Sequence, residues 1–251
     1  MRGIDQAVEL IRASRRVVVM TGAGVSAESG VPTFRDDLTG YWSMFDPNDL
    51  ATPEAFDRDP ATVSRWYDER RQRVLSCHPN PGHVALAAWE EAVVGAGGSF
   101  VLLTQNVDRL HQRAGSRHVV ELHGSLLSWR CTRTGRVRED LPIPLPHYPM
   151  ESEAGGFYRP GVVWFGEMLP ESAVARAEAA VASCDLVVSI GTSAQVYPAA
   201  GFVEWAVARG VRSLEVNRDP TPISELVEVS LRGLAGELLP RLGAGWRGGT
   251  A

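Results

Sequence analysis

The chain sets ligand-reading and proton-moving side chains at the ends of apolar runs. Val17-Val18-Val19 leads into Thr21-Gly22-Ala23-Gly24, and Phe100-Val101-Leu102-Leu103-Thr104 into Gln105-Asn106-Val107-Asp108. Val119-Val120-Glu121-Leu122 leads into His123-Gly124-Ser125, Leu186-Val187-Val188-Ser189-Ile190 into Gly191-Thr192-Ser193, and Ser213-Leu214-Glu215-Val216 into Asn217-Arg218. Gly22, Gly24 and Ala27 fit G-x-G-x-x-[GA]. Small residues at that spacing let backbone amides approach a pyrophosphate, whose charge sits at the next helix N-terminus. Side-chain amides such as Gln105 and Asn106 can read a polar ligand, because each offers both a donor and an acceptor. The imidazole of His123, with an ordinary pKa of about 6.5, suits proton removal near neutrality. Position alone leaves His123 open to two readings, a base or a hydrogen-bonded structural residue after a strand.

The runs that carry these groups read as buried strands, with a weaker sixth at Val227-Glu228-Val229. Residues 4–13 put Ile4, Ala7, Val8 and Ile11 on one helical face, and further helical patterns lie at 82–94, 171–182 and 199–209. Strands alternating with helices predict an α/β fold, a doubly wound, parallel, Rossmann-like sheet. Ligands bind at the carboxyl ends of such strands, so the groups beginning at Gly22, Gln105, Gly191 and Asn217 are expected to share one crevice. The first helix is expected to be short, since Gly30, Pro32 and Thr33-Phe34-Arg35 interrupt it. That early stop, with no acidic end on a second strand, argues against an ordinary dehydrogenase.

Two segments break the alternation: a polar, helical one, and one rich in proline, glycine and arginine around 129–160. They are expected to form a smaller second domain built from two insertions, 36–76 and 126–167. The sheet domain would then comprise 1–35, 77–125 and 168–251. Within the first insertion, Thr62–Val74 (TVSRWYDERRQRV) reads as a helix with Val63, Trp66, Tyr67, Arg70 and Val74 on one face. Arginine is costly to bury alone. Arg70 either snorkels to water or pairs with a carboxylate such as Asp57, or it serves a ligand; Arg71 and Arg73 are expected to be solvated.

With 251 residues, 44% hydrophobic, the chain can build a real core as one large or two unequal domains. A formal net charge of −5 argues against a general nucleic-acid binder. No apolar run is long enough to span a bilayer, and no apolar core follows Met1-Arg2-Gly3-Ile4-Asp5, so neither membrane nor secretion signal is expected. Cys77, Cys131 and Cys184 are scattered and odd in number, which suits a cytoplasmic location. All 25 basic residues are arginine; the chain has no lysine.

Read together, the motifs resemble the sirtuins, NAD-dependent protein-lysine deacylases. The opening glycine string, Thr104–Asp108, Glu121–Ser125, Val162–Glu167, Ile190–Ser193, Glu215–Asn217 and Leu231–Ala235 occur in the family's order and cover most of the chain. The resemblance implies NAD as cofactor, acyl-lysine proteins or peptides as partners, and no nucleic acid or membrane. It implies that the acyl carbonyl oxygen attacks the ribose carbon as nicotinamide leaves, with His123 as base. The products are lysine, nicotinamide and O-acyl-ADP-ribose. The cofactor would be held by Gly22, Ala23, Gly24, Ser26, Ala27, Thr33, Phe34, Arg35, Gln105, Asn106, Asp108, Gly191, Thr192, Ser193, Asn217 and Ala235, with Asn106 and Asp108 also catalytic at the nicotinamide end. Val163, Trp164, Phe165, Gly166 and Glu167 would offer a strand edge to the substrate backbone. Tyr67 and Arg70 match the Tyr-x-x-Arg of the class that removes malonyl and succinyl groups, and would bind the distal carboxylate. The family's structural zinc sits on two C-x-x-C pairs. Here Cys131 is followed by Thr134 in place of the second cysteine, and Pro146–Glu151 lacks the second pair, so no metal is expected. His147 and Glu151 are the alternative partners for Cys131. Two other functions fit the same cofactor: mono-ADP-ribosyl transfer, and a catalytically idle NAD-binding regulator.

Overall fold

The computed structural model describes residues 2–31 and 50–247. Thr33, Phe34 and Arg35, and residues 36–49 of the expected insertion 36–76, therefore lie outside the described residues. Six strands form one sheet: β1 (Arg16–Thr21), β2 (Ser99–Thr104), β3 (Val119–Glu121), β7 (Leu186–Ile190), β8 (Arg212–Asn217) and β9 (Val229–Arg232). Their order is β3-β2-β1-β7-β8-β9, and every pairing is parallel. The chain steps outward from β1 to β3, then returns to β7 on the other side of β1. That reversal makes the β1/β7 boundary the switch point where such sheets bind ligands.

The register explains why the polar groups meet. Thr21 lies opposite both Thr104 and Ile190, and Ile190 lies opposite Val216. Gly22, Gln105 and Gly191 therefore leave the sheet at one level. Both faces of the sheet are covered, so its strands read as continuous apolar runs rather than alternating ones. Val17 and Val19 pack with α1 (Arg2–Arg12), α5 (Pro81–Gly95) and α9 (Ala235–Arg241); Val18 and Met20 pack with α7 (Glu171–Ser183) and α8 (Ala199–Ala208). The helix after the glycines, α2, is only Ala23–Ala27. The sixth strand was expected at 227–229 but begins at Val229. Val229 pairs with Leu214 and Arg232 with Asn217, while 222–226 is spent in a turn.

A separate core gathers the insertions. Phe56 of α3 (Pro53–Arg58) and Val63, Trp66, Tyr67 and Val74 of α4 (Pro60–Ser76) pack against Leu126, Trp129, Tyr158, Val162 and Trp164. Asp59 caps α4 by accepting the Thr62 amide at 3.0 Å, with Pro60 at the first helical position. The segment that showed weak periodicity is an antiparallel three-stranded sheet of β4 (Gly124–Cys131), β5 (Val137–Arg138) and β6 (Tyr158–Val162). The domain division given above stays a proposal, supported by this core's separateness. Arg109, at φ 58 before the short helix α6 (Leu110–Arg113), ties the two parts. It bonds Glu121 at 3.0 Å and, across in the insertion, Glu139 at 2.6 Å.

Arg71 is not solvated, contrary to expectation. It is 1% exposed and pairs with Asp68, itself fully buried, at 2.5 Å, while donating to the Pro142 carbonyl at 2.6 Å. Asp68 also accepts from the Leu145 amide at 2.9 Å and the Tyr148 hydroxyl at 2.7 Å. The pair thus pins the 141–148 loop onto α4. Burying two charges is tolerable because nearly every lone pair and proton is used. Arg73 is exposed, as expected. Arg71→Met should destabilise the chain by about 3–5 kcal/mol in urea unfolding, because it strands Asp68 in the core; a change within about 0.5 kcal/mol, the value for a solvated side chain, would refute the pin.

Candidate functional site

The crevice is built from backbone meeting backbone. The Gly22 amide donates to the Ile190 carbonyl at 3.1 Å, and the Gly24 amide to the Gly191 carbonyl at 2.8 Å. A Cβ on Gly24 would stand 2.7 Å from the Gly191 oxygen, and one on Gly191 would stand 2.6 Å from the Val25 nitrogen. Gly191 also sits at φ +58, a conformation that side chains resist. Ala23, Gly24 and Ala27 face outward, and Ser193 is exposed beside the buried Thr192.

Side chains from the neighbouring strand ends close the floor. Gln105 Nε2 donates to Thr192 Oγ1 at 3.0 Å, and Asn217 Nδ2 to the Thr192 carbonyl at 2.9 Å. Asn106 Nδ2 donates to the Gly22 carbonyl and to Ser26 Oγ, both at 3.0 Å. Asp108 is buried and accepts the Leu110 amide at 2.8 Å. Burial pushes its carboxyl pKa up, while the Leu110 amide, Ser26 and Arg113 pull it back. Ala235 lies deeper, buried at the start of α9, where the Gly233 amide bonds the Asn217 carbonyl at 3.1 Å. The four groups expected to share one crevice thus converge, as the register requires.

Two buried histidines under this floor were missed by the sequence reading. His83 Nδ1 accepts the Asn80 amide at 3.3 Å, so its Nε2 proton faces Ser26 Oγ at 3.4 Å. Thr21 donates to Thr104 at 2.9 Å, so His111 Nε2 donates to Thr21 Oγ1 at 3.0 Å. Thr104 in turn accepts the Asn106 amide at 3.1 Å. Burial holds both imidazoles neutral, His83 at about 4 and His111 well below its usual value. The available signal was Asn80-Pro81-Gly82-His83, a capping box at the start of α5.

His123 follows β3 and is half-buried. Its Nδ1 lies 3.2 Å from the Gln105 carbonyl. A carbonyl only accepts, so Nδ1 carries the proton and Nε2 keeps the lone pair of a base. Desolvation lowers the imidazole pKa; the Gln105 bond opposes it.

The segment expected to be a strand edge lies beyond the sheet and runs into a turn at Phe165–Gly166. β6 ends at Val162, and the next amides are used internally. Val163 donates to the His123 carbonyl at 2.9 Å, Trp164 to Glu167 Oε2 at 2.9 Å, Phe165 to the Ala51 carbonyl at 2.9 Å and Glu167 to the Trp164 carbonyl at 3.0 Å. Among the described residues, the Gly166 amide and the Val163, Gly166 and Glu167 carbonyls take no backbone partner. Glu167 is also gripped by Arg159 at 2.7 Å and Arg130 at 2.8 Å. Tyr67 is 4% exposed and accepts the Trp164 Nε1 proton at 3.0 Å; burial pushes its phenol up to about 12, and the nearby Arg70 charge opposes this. Arg70 is half-buried one turn on, its guanidinium 4.7 Å from the Trp66 ring centre.

At the place of the family's metal, Cys131 Sγ lies 3.0 Å from Ser152 Oγ. Ser152 and Thr134 lower its thiol pKa to about 7. His147 and Glu151 are exposed. Among the described residues, no group of three or more His, Cys, Asp or Glu is placed to hold a metal ion.

A sheet of order 3-2-1-4-5-6 with ligand-reading loops at its switch point and a histidine beside them defines a dinucleotide-using enzyme class. Residues 22–198 match the model of the Sir2 family. The NAD-dependent protein deacylase of Thermus thermophilus is 49% identical over 232 residues, covering 92% of this chain and 91% of its own length. NAD-dependent protein deacylase 1 of Pseudomonas aeruginosa is 49% identical over 246 residues, covering 94% and 96%. A crystal structure of a Sir2 homologue in complex with NAD superposes with a TM-score of 0.87 at 42% identity, covering 97% of this chain and 94% of that one. This chain belongs to the Sir2 family.

Two outcomes follow from the geometry. Nitrogen NMR should show neutral His123 protonated on Nδ1, with a titration midpoint below about 6.5, so the base form persists into mildly acidic buffer; a midpoint at or above that value would contradict the desolvated setting. Elemental analysis of the purified protein should find no stoichiometric zinc, and chelators should leave the melting temperature unchanged; one bound equivalent would show that a site exists.

Proposed function

We propose that this chain, an NAD-dependent protein-lysine deacylase of the Sir2 family, prefers acyl groups that end in a carboxylate. The observation that carries this is the link from base to acid reader. The His123 carbonyl holds the Val163 amide, and the next residue, Trp164, holds the Tyr67 hydroxyl one turn from Arg70. A guanidinium and a phenol on one helical face suit a carboxylate, the first as a fork and the second as a further donor.

The cradle fits the cofactor. A Cβ at Gly24 or Gly191 would strike the facing loop's backbone and part the two loops, and the exposed Gly24 backbone and the amides of Gln105 and Asn106 offer contacts to a pyrophosphate, a ribose and a carboxamide. When bound, NAD supplies a ribose carbon with a displaceable nicotinamide. Asn106, fixed by Gly22 and Ser26, and the buried Asp108 orient that end. Nε2 of His123 accepts a proton, and the Nδ1 bond to Gln105 keeps the ring in the required tautomer. Thr192, tied to Gln105 and Asn217, holds the loop between β7 and α8. Thr33, Phe34 and Arg35 are proposed to complete the enclosure. Substrate backbone is proposed to bind at 163–167 through the Val163 carbonyl and Gly166 amide. A cytoplasmic setting is proposed from three buried, unpaired cysteines; among the described residues, no helix is long and apolar enough to cross a membrane.

The test is a panel of succinyl-, malonyl- and acetyl-lysine peptides with NAD. Arg70→Met should cut desuccinylation tenfold or more, since a charge-assisted bond is worth on the order of 1.5–3 kcal/mol, while deacetylation falls much less or rises. Equal losses would make Arg70 a structural residue of α4. Nicotinamide release in the absence of acyl peptide would instead favour ADP-ribosyl transfer, and none in any condition would favour an idle regulator.

A further inference from the structure

Trp164 is buried deeper than a substrate-contacting residue needs to be, at 3% exposure. Its ring is fixed on several sides. Phe56 lies 5.5 Å away, centre to centre, and the Arg159 guanidinium sits 3.3 Å from the indole centre. Arg159 is itself held by two bonds to Glu167, at 2.7 and 2.9 Å, and by the Val162 carbonyl at 3.1 Å. Glu167 returns to accept the Trp164 amide at 2.9 Å. The indole therefore has one orientation, with its N–H on the Tyr67 oxygen at 3.0 Å.

An indole N–H can only donate, whereas a phenol both donates and accepts. With its oxygen already accepting from Trp164, Tyr67 has its own proton to give. Among the described residues no acceptor takes it. Burial keeps the phenol protonated, so it remains a donor across the neutral range. A buried O–H without an acceptor is costly, and a ligand that supplies one gains accordingly. A succinyl or malonyl terminus is such an acceptor; an acetyl methyl is not.

We propose that Trp164 is a positioning residue for acyl selectivity: its indole N–H occupies the acceptor side of Tyr67 and turns the phenol proton toward a carboxylate on the acyl chain. This rests on the acidic-acyl reading above. It makes selectivity depend on a hydrogen bond two residues removed from the guanidinium, in the same segment that lies against His123.

Trp164→Phe keeps an aromatic ring against Phe56 and Arg159 but removes the donor. It should lower the succinyl-to-acetyl ratio of kcat/KM about tenfold, the scale of one hydrogen bond to a charged group. In a Tyr67→Phe background the same change should leave the ratio unaltered, because the bond it serves is already gone. An equal fall in both activities, or the same ratio change with and without the Tyr67 hydroxyl, would show a packing role and overturn the proposal. Arg70→Met is run alongside: if it shifts the ratio and Trp164→Phe does not, the positioning role fails while the acidic-acyl reading stands. If neither shifts it, both fail.

Discussion

Backbone pressed against backbone at the ends of β1 and β7 is the constraint on which the site depends. Gly24 and Gly191 approach so closely that neither tolerates a Cβ. The contact brings the loops after two adjacent parallel strands together while leaving Gly24 open to solvent. Asn106 is then fixed by the Gly22 carbonyl, and Gln105 and Asn217 by Thr192. A single extra carbon at this seam would part the strand ends and displace each of these anchors. Overpacking of this kind typically costs about 1–3 kcal/mol, before any effect on ligand binding.

A second layer beneath the crevice keeps it rigid and neutral. His83 and His111 lie with ring centres 4.7 Å apart and planes tilted by 55°, and they spend their protons on Ser26 and Thr21. Because burial suppresses their charging, they serve as fixed donors through the neutral range, in which His123 is proposed to act as a base. Three imidazoles within one region therefore have distinct tasks, and the difference lies in their partners. His123 alone has its Nδ1 on a carbonyl and its Nε2 uncommitted by any described residue.

The insertion module depends on electrostatics of a different sort. Asp68 collects donors from Arg71, Leu145 and Tyr148, at a site where an unpaired carboxylate could not remain. Further out, Arg138 pairs with Glu153 at 3.0 Å, and Thr132 accepts the Phe157 amide at 3.0 Å. These bonds fasten the loop between β5 and β6 to neighbouring elements. Exposed pairs of this kind contribute little individually, so the buried Asp68–Arg71 pair and the surrounding aromatic core dominate.

The sheet and its crevice were legible because their signals are local. A strand covered on both faces must be apolar along its whole length, and strands that share a register end at one level, so the apolar runs and the glycines after them marked the site. The short helix after Gly22 and the apolar face of α4 followed from glycine, proline and helical spacing. Elsewhere the deciding partner is remote in sequence. Arg70, Arg71 and Arg73 are chemically identical on one helix, and only the Pro142 carbonyl and a buried Asp68 select Arg71 for the interior. The register of β9 is set by β8 rather than by the hydrophobicity of Val227. The segment 163–167 spends its amides on His123, Glu167 and Ala51, which no reading of a β-prone string could supply. The amino-acid order by itself determined which residues could do chemistry and which elements would carry them. Tertiary structure decided which polar group meets which, because a buried donor or charge takes its role from the partner that the fold brings to it.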